Sequence, residues 1–188
     1  MSKINCQQKI CFIGLGTMGG YIAKNIKQQY SDISVYDSAA SKRDEFVQLG
    51  WDFKTNVALS AEKADIVFTI LPTSSIVAEV IFEADQDGNS VINSVSKNCL
   101  FIDMTTGSIE DLFALKDKLD KKGHRLIDAP VGRSPREARI GKSLIMAGGE
   151  VSDIAQAKPI FETFADTIIH VGKVGLGLKL KLVNNYMA

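Results

Sequence analysis

Short, unbroken apolar runs alternate along the chain with longer stretches in which apolar side chains recur every three or four positions. Runs of the first kind suit strands buried on both faces of a sheet, and stretches of the second kind suit amphipathic helices laid across it. KICFIG (9–14), ISVYD (33–37), DIVFTIL (65–71) and CLFIDM (99–104) predict four strands, and RLIDAPV (125–131), SLIMAGG (143–149) and TIIHV (167–171) predict three more. Helices are predicted over 18–29, 41–49, 74–82, 109–122 and 151–164. The fourth has clear ends: Ser108 as N-cap, Glu110 and Asp111 in the first turn, then Lys121, Lys122 and the stop Gly123. The polar, turn-rich segment 83–98 predicts a loop holding one short helix. Strands alternating with helices in this way predict an α/β fold, doubly wound around a mostly parallel sheet.

The first strand runs into ICFIGLGTMGG, in which Gly14, Gly16 and Gly19 stand in the spacing G-x-G-x-x-G directly before a helix. Gly14 permits a tight turn, Gly16 lets the backbone approach a pyrophosphate, and Gly19 lets helix and strand pack closely. The unpaired N–H groups of the helix start, over Leu15, Thr17 and Met18, supply donors to the anion. The second strand ends in Asp37, eighteen residues after Gly19, where a carboxylate can accept hydrogen bonds from an adenosine ribose. A purely structural account, in which the glycines serve a turn and Asp37 caps the next helix, uses the same residues. Dinucleotide binding is the stronger expectation. Because Asp37 repels a 2′-phosphate, NAD(H) is expected over NADP(H), although Lys42 and Arg43 lie within reach of such a phosphate and pull the other way.

Ligands of doubly wound sheets collect at the carboxyl ends of the strands. Leu71 and Pro72 form an apolar shelf for a nicotinamide or adenine face, while Thr105 and Thr106 offer hydroxyls that serve either a nicotinamide amide or a helix cap. In IDAPVGRSPREARIGK, the amides around Gly132–Ser134 and the Arg133 guanidinium can build an anion pocket; alternatively Arg133, Arg136 and Arg139 form the solvated face of a short helix. In the closing KVGLGLKLKLVNNYMA, Lys181 and Asn185 are four apart and share a helix face. A lysine drawn into a partly desolvated cleft can give a proton to an alkoxide, with Asn185 holding the oxygen or the lysine. An ordinary surface pair has the same spacing.

Composition narrows the classes. The 22 basic and 22 acidic residues cancel, which advertises neither nucleic acid nor membrane as a partner. No apolar run approaches a membrane span, and no secretory leader is visible. Three scattered cysteines, Cys6, Cys11 and Cys99, fit a reduced, cytoplasmic setting better than a disulfide framework, and no metal-ligand cluster stands out.

Taken in order, GLGTMGG (14–20), ILPTSS (70–75), IDMTTGS (102–108), DAPVGR (128–133), MAGG (146–149) and GLGLKLKLVNN (175–185) resemble the β-hydroxyacid dehydrogenase family over essentially the whole chain. The resemblance implies an NAD(P)-binding Rossmann domain over 1–172 and, over 173–188, the start of an interdomain helix leading to an all-helical domain. The stop at Ala188 is accordingly expected to interrupt a longer helix, leaving Leu178, Leu182 and Tyr186 without the domain they pack against, and the full-length form is expected to be a homo-oligomer, dimer or tetramer. In the family's G-x-G-x-x-x-K-x-x-N-N pattern, here Gly175, Gly177, Lys181, Asn184 and Asn185, the lysine is the acid/base and Asn185 the substrate ligand. Thr106, and next Thr105, match cofactor-contacting positions.

Where the family usually carries S-G-G after D-A-P-V, this chain has Gly132, Arg133 and Ser134, a form that resembles the sulfolactaldehyde reductase branch, in which the arginine helps bind a sulfonate. Val131, Gly132, Arg133 and Ser134 are therefore the expected substrate contacts. The expected activity is hydride transfer between NAD(H) and a small anionic 3-hydroxyacid or semialdehyde, sulfolactaldehyde first, then 3-hydroxyisobutyrate or tartronate semialdehyde. Two other classes compete: a catalytically silent NAD-binding fragment, and a methyltransferase or nucleotide-sugar enzyme on the same turn. The last leaves Lys181 and Asn185 without a role.

Overall fold

A computed structural model describes residues 8–187; Cys6 lies outside them. Strands form at Ile10–Ile13 (β1), Ile33–Tyr36 (β2), Ile66–Thr69 (β3), Leu100–Asp103 (β4), Arg125–Asp128 (β5), Val131–Gly132 (β6), Ser143–Gly148 (β7) and Ala165–Gly172 (β8). The helices are Thr17–Lys27 (α1), Ala40–Gln48 (α2), Val57–Ser60 (α3), Ser74–Phe82 (α4), Val91–Ser94 (α5), Ile109–Lys121 (α6), Pro135–Arg139 (α7), Val151–Phe161 (α8) and Leu176–Met187 (α9). Every strand and helix expected from the apolar pattern is present within a few residues of its expected bounds. The helix expected in 83–98 is α5. α3 was not anticipated, although its cap is local: the Asn56 side chain accepts from the amides of Ala58 and Leu59.

The expected strand 125–131 breaks in two. Pro130 has no N–H to give a ladder, so parallel pairing ends at Asp128 and the chain resumes as β6, antiparallel to β7. The sheet order is β2-β1-β3-β4-β5-β7-β6, with β8 also paired to β7, and it is parallel except where β7 meets β5 and β6. β1 lies between β2 and β3, so the chain winds away from it in both directions. A crevice opens there at the strands' carboxyl ends.

Alternation along the strands sends side chains to two cores. Ile10, Phe12, Phe68 and Ile102 face α1 and α8, with Phe12 stacked on Phe68 at 5.6 Å, while Cys11, Ile13, Val67 and Phe101 share the opposite face with Leu112, Leu115 and Leu119 of α6. Leu178 belongs to that second core and is 1% exposed. It is therefore packed within this chain, contrary to expectation, because α9 starts by crossing the strand ends. Leu182 and Tyr186 further along α9 are exposed, Tyr186 by 94%.

Across the carboxyl edge one register row joins Ile13, Thr69, Asp103, Asp128 and Gly148 on neighbouring strands. That row is the floor of the site.

Candidate functional site

The turn after β1 is shaped by contacts that only glycine allows. Gly14 has φ +100°, and a Cβ on it would stand 2.3 Å from the Ile70 carbonyl oxygen. At Gly19 a Cβ would stand 2.0 Å from the Gly14 carbonyl oxygen, so α1 lies directly on the turn. Gly16 is different. It is the N-cap of α1, gives no side-chain cap, and has nothing within 4 Å of the place a Cβ would occupy. Gly16, Thr17 and Met18 thus border open space at the positive end of the helix, an arrangement suited to a pyrophosphate.

That space is a cavity of about 510 Å³ lined by the glycine turn, Thr17, Met18, Asp37, Leu71, Pro72, Ile76 and Val80. Its apolar side chains suit a flat ring, and Asp37 offers carboxylate oxygens at the rim. The Asp37 carboxylate is also engaged: Oδ2 accepts the Leu15 amide at 2.7 Å and Oδ1 the Ala39 amide at 2.8 Å, ahead of α2. Leu15 corrects an expectation, since its side chain is fully buried in the core and its N–H is given to Asp37. It is a brace of the turn, not one of the cavity walls.

The two cations that pulled toward NADP(H) each have a carboxylate neighbour. Lys42 pairs with Glu45 at 2.8 Å, as does Lys24, and the lysine hydrogen bonds, that of Lys24 foremost, hold the Glu45 carboxyl below its ordinary range. Arg43 pairs with Asp44 on the exposed side of α2. The glycine turn, the start of α1 and the Asp37 carboxylate fit NAD(H).

A second cavity of about 410 Å³ shares Met18, Ile70, Leu71 and Pro72 with the first, so the two form one cleft. Its other walls include Thr105, Thr106, Val131, Arg133, Lys181 and Asn185. The tail helix is thereby brought to the strand ends, with Lys181 and Asn185 both in the cavity wall. Lys181 is half-buried, and burial lowers its ammonium below the ordinary lysine value.

The threonines divide their work. Thr105 is buried, its Oγ1 accepts the Leu71 amide at 3.0 Å, and its own amide donates to Asp103 Oδ1, which also receives the Thr69 hydroxyl at 2.9 Å. Burial raises the Asp103 carboxyl above its ordinary range. Thr105 holds the shelf in place, and the exposed Thr106 is the hydroxyl available to a ligand.

Of the four expected substrate contacts, Val131 and Arg133 line this cavity. Gly132 packs against Leu144 of β7, and Ser134 caps α7, its amide donating to Glu137 Oε2 at 3.0 Å in a capping box. Within the amide cradle expected at 132–134, the Ser134 amide is thus closed on the protein itself. Arg133, at φ +69°, gives one terminal nitrogen to the Lys142 carbonyl and to Asp166 Oδ1, both at 2.6 Å, and the other to the Thr167 hydroxyl. Sequence reasoning missed Asp166, which is 33 positions from Arg133, and also Asp128, which takes the Gly175 and Leu178 amides at the head of α9.

A glycine turn at the switch point of a doubly wound sheet, with a carboxylate closing the next strand, defines a Rossmann-type dinucleotide-binding domain. Residues 9–172 match the family described as the NAD binding domain of 6-phosphogluconate dehydrogenase, and the chain belongs to that family. It is 35% identical over 179 residues to the 3-sulfolactaldehyde reductase of Escherichia coli (strain K12), covering 95% of this chain and 59% of that protein. It is 33% identical to the mitochondrial 3-hydroxyisobutyrate dehydrogenase of Mus musculus, covering 94% of this chain and 51% of the relative. The solved 3-hydroxyisobutyrate dehydrogenase of Mycobacterium tuberculosis with L-serine superposes with a TM-score of 0.86 at 28% identity, over 96% of this chain and 60% of that one. The chain thus spans between half and two thirds of the length of these relatives. Among the described residues no helix is long and apolar enough to cross a membrane, and no cluster of metal-binding side chains occurs.

Proposed function

We propose that this chain is the cofactor-binding part of an oxidoreductase that moves a hydride between NAD(H) and a small anionic 3-hydroxyacid or its semialdehyde. Residues 1–172 are the cofactor domain, and 173–188 begin the interdomain helix of a homo-oligomeric enzyme. The observation that carries this reading is the single cleft: the glycine turn and Asp37 at one end, Lys181 and Asn185 at the other, with Leu71 and Pro72 shared between them.

The α1 amides would hold the pyrophosphate, Asp37 the ribose, and the Leu71–Pro72 shelf and Thr106 the nicotinamide. Bound NAD(H) supplies the hydride. Lys181 handles the proton: its ammonium donates to the substrate oxygen as a carbonyl is reduced, and its neutral amine accepts the hydroxyl proton in the reverse direction. A lysine already eased toward neutrality by burial serves both directions near pH 7 better than a solvated one. Asn185 orients the same oxygen.

Arg133, reinforced by the likeness to 3-sulfolactaldehyde reductase, favours a sulfonate as the substrate's anionic group, and sulfolactaldehyde comes before carboxylate semialdehydes. A reducing cytoplasmic setting suits the buried thiols Cys11 and Cys99.

The test is a substrate panel with NADH, comparing sulfolactaldehyde with methylmalonate and tartronate semialdehydes, on wild type, Lys181→Met and Arg133→Gly. Lys181→Met should lower kcat at least a hundredfold with NADH affinity intact, and Arg133→Gly should weaken the sulfonate far more than the carboxylates. Equal losses on all substrates would remove the sulfonate assignment. A second reading, an NAD-binding chain without turnover, draws on the exposure of Asn185 and Tyr186, which leaves the cleft open on the α9 side. NADH binding with no reduction of any substrate would favour it.

A further inference from the structure

Where β5 ends, Asp128 sits 1% exposed beneath the first turn of α9. Its Oδ1 accepts the Gly175 amide and its Oδ2 the Leu178 amide, both at 2.7 Å. No slack surrounds this contact. A Cβ on Gly148 would stand 2.5 Å from Asp128 Oδ1, and one on Gly177 would stand 2.3 Å from the Met146 carbonyl oxygen and 2.7 Å from that of Asp128. The backbone of α9 therefore lies directly on the ends of β5 and β7, and both carboxylate oxygens are aimed at donors that no helical carbonyl can satisfy.

Three residues after Leu178, less than one helical turn, comes Lys181 in the wall of the cleft. We propose that Asp128 is a positioning residue for Lys181: its carboxylate clamps the head of α9 onto the strand ends and so sets where the lysine amine stands in the cleft. This rests on the reading of Lys181 given above. The action runs through the helix, since both Asp128 oxygens are taken up by the amides at the head of α9. The aspartate keeps both oxygens on the two amides, and Gly148 beside it has no room for a Cβ. An asparagine would keep one acceptor and turn an NH2 toward the other amide.

Reductive methylation with formaldehyde, followed at Lys181 and Lys179 by mass spectrometry as a function of pH, reads the lysine's environment without requiring turnover. Lys179, exposed on the same helix, is the internal reference. In the wild-type chain the labelling midpoint of Lys181 should lie below that of Lys179. In Asp128→Asn it should move at least half a pH unit toward Lys179, while NADH affinity changes less than threefold. If NADH binding is retained and the Lys181 midpoint does not move, Asp128 is a cap and the proposal fails, with the acid/base reading of Lys181 still standing. If Lys181 already labels like Lys179 in the wild type, the acid/base reading fails and the positioning role fails with it. Should Asp128→Asn not fold, Gly177→Ala displaces the same helix head, its Cβ pressing on the Met146 and Asp128 carbonyl oxygens and on Asp128 Oδ2: a shift of the Lys181 midpoint supports the proposal, and an unmoved midpoint overturns it.

Discussion

The Asp37 carboxylate reaches back to the Leu15 amide, Oδ2 to N at 2.7 Å, and so ties the end of β2 to the turn after β1. One side chain thus shapes the turn and lines the cavity in which the adenosine end of the cofactor is proposed to sit. Asp37→Ala removes the carboxylate proposed to accept from the ribose hydroxyls, a hydrogen bond worth about 1.5–3 kcal/mol, so NADH affinity should fall about ten- to a hundredfold. With the repulsion of a 2′-phosphate gone, the NADPH-to-NADH affinity ratio should rise. Fluorescence titration with both cofactors reads the two effects, and an unchanged ratio would remove Asp37 from cofactor choice.

Gly16 and Gly19 separate binding from folding. Gly19→Ala drives a Cβ into the Gly14 carbonyl, and overpacking of this kind costs about 1–3 kcal/mol or more. Its Tm should drop by roughly 5 °C. Gly16→Ala meets no protein atom within 4 Å, so its Tm should stay within about 2 °C. NADH affinity should nevertheless fall at least tenfold, because the new methyl group occupies the space over the α1 amides. Calorimetry and titration on the same samples compare the two.

Arg133 shares its charge with Asp166, a partner on the solvated edge strand β8. The Thr167 hydroxyl and then Arg133 hold the Asp166 carboxyl below its ordinary range, so it is ionised at neutral pH. Asp166→Asn should therefore leave Arg133 in place with its charge less neutralised and strengthen the binding of a sulfonate probe such as isethionate severalfold. The gain should vanish in the double variant with Arg133→Gly. Competition by isethionate in a thermal-shift or calorimetric titration measures it; a gain that survives loss of Arg133 would locate the anion elsewhere.

Burial raises the Asp128 carboxyl to about 6 against the two amide hydrogen bonds that oppose the shift. Between about pH 4 and 6 the folded chain holds a proton there that the unfolded chain has released. The Asp128 contribution to stability is therefore fully present below pH 4 and declines as pH rises through 6, by on the order of 2–3 kcal/mol. Lowered carboxylates such as Glu45 act in the opposite sense. The difference between wild type and Asp128→Asn isolates the term: urea unfolding at pH 4 and pH 7 should show wild type losing ground to the variant as pH rises. A difference independent of pH would mean that Asp128 titrates normally.

Periodicity and spacing along the chain were enough to determine the doubly wound sheet, the glycine turn at its switch point and the helix that carries Lys181 and Asn185. Those features are written in neighbours: apolar runs that must be buried on both faces, glycines where no Cβ fits, polar residues one helical turn apart. What Asp37, Leu15, Thr105 and Arg133 do was decided by the tertiary structure, because each has a partner that is distant in the chain and adjacent only after folding. Thr105 meets Leu71 across 34 positions, Arg133 meets Asp166 across 33, and Asp128 meets Leu178 across 50. A charge or hydroxyl that looks free in the sequence is shared in the protein with whatever folded neighbour it meets, as Asp37 is with the Leu15 amide and Arg133 with Asp166. Thr106 and Lys181 line the cleft, while Ser134 is spent on the cap of α7 and the Leu15 amide on Asp37.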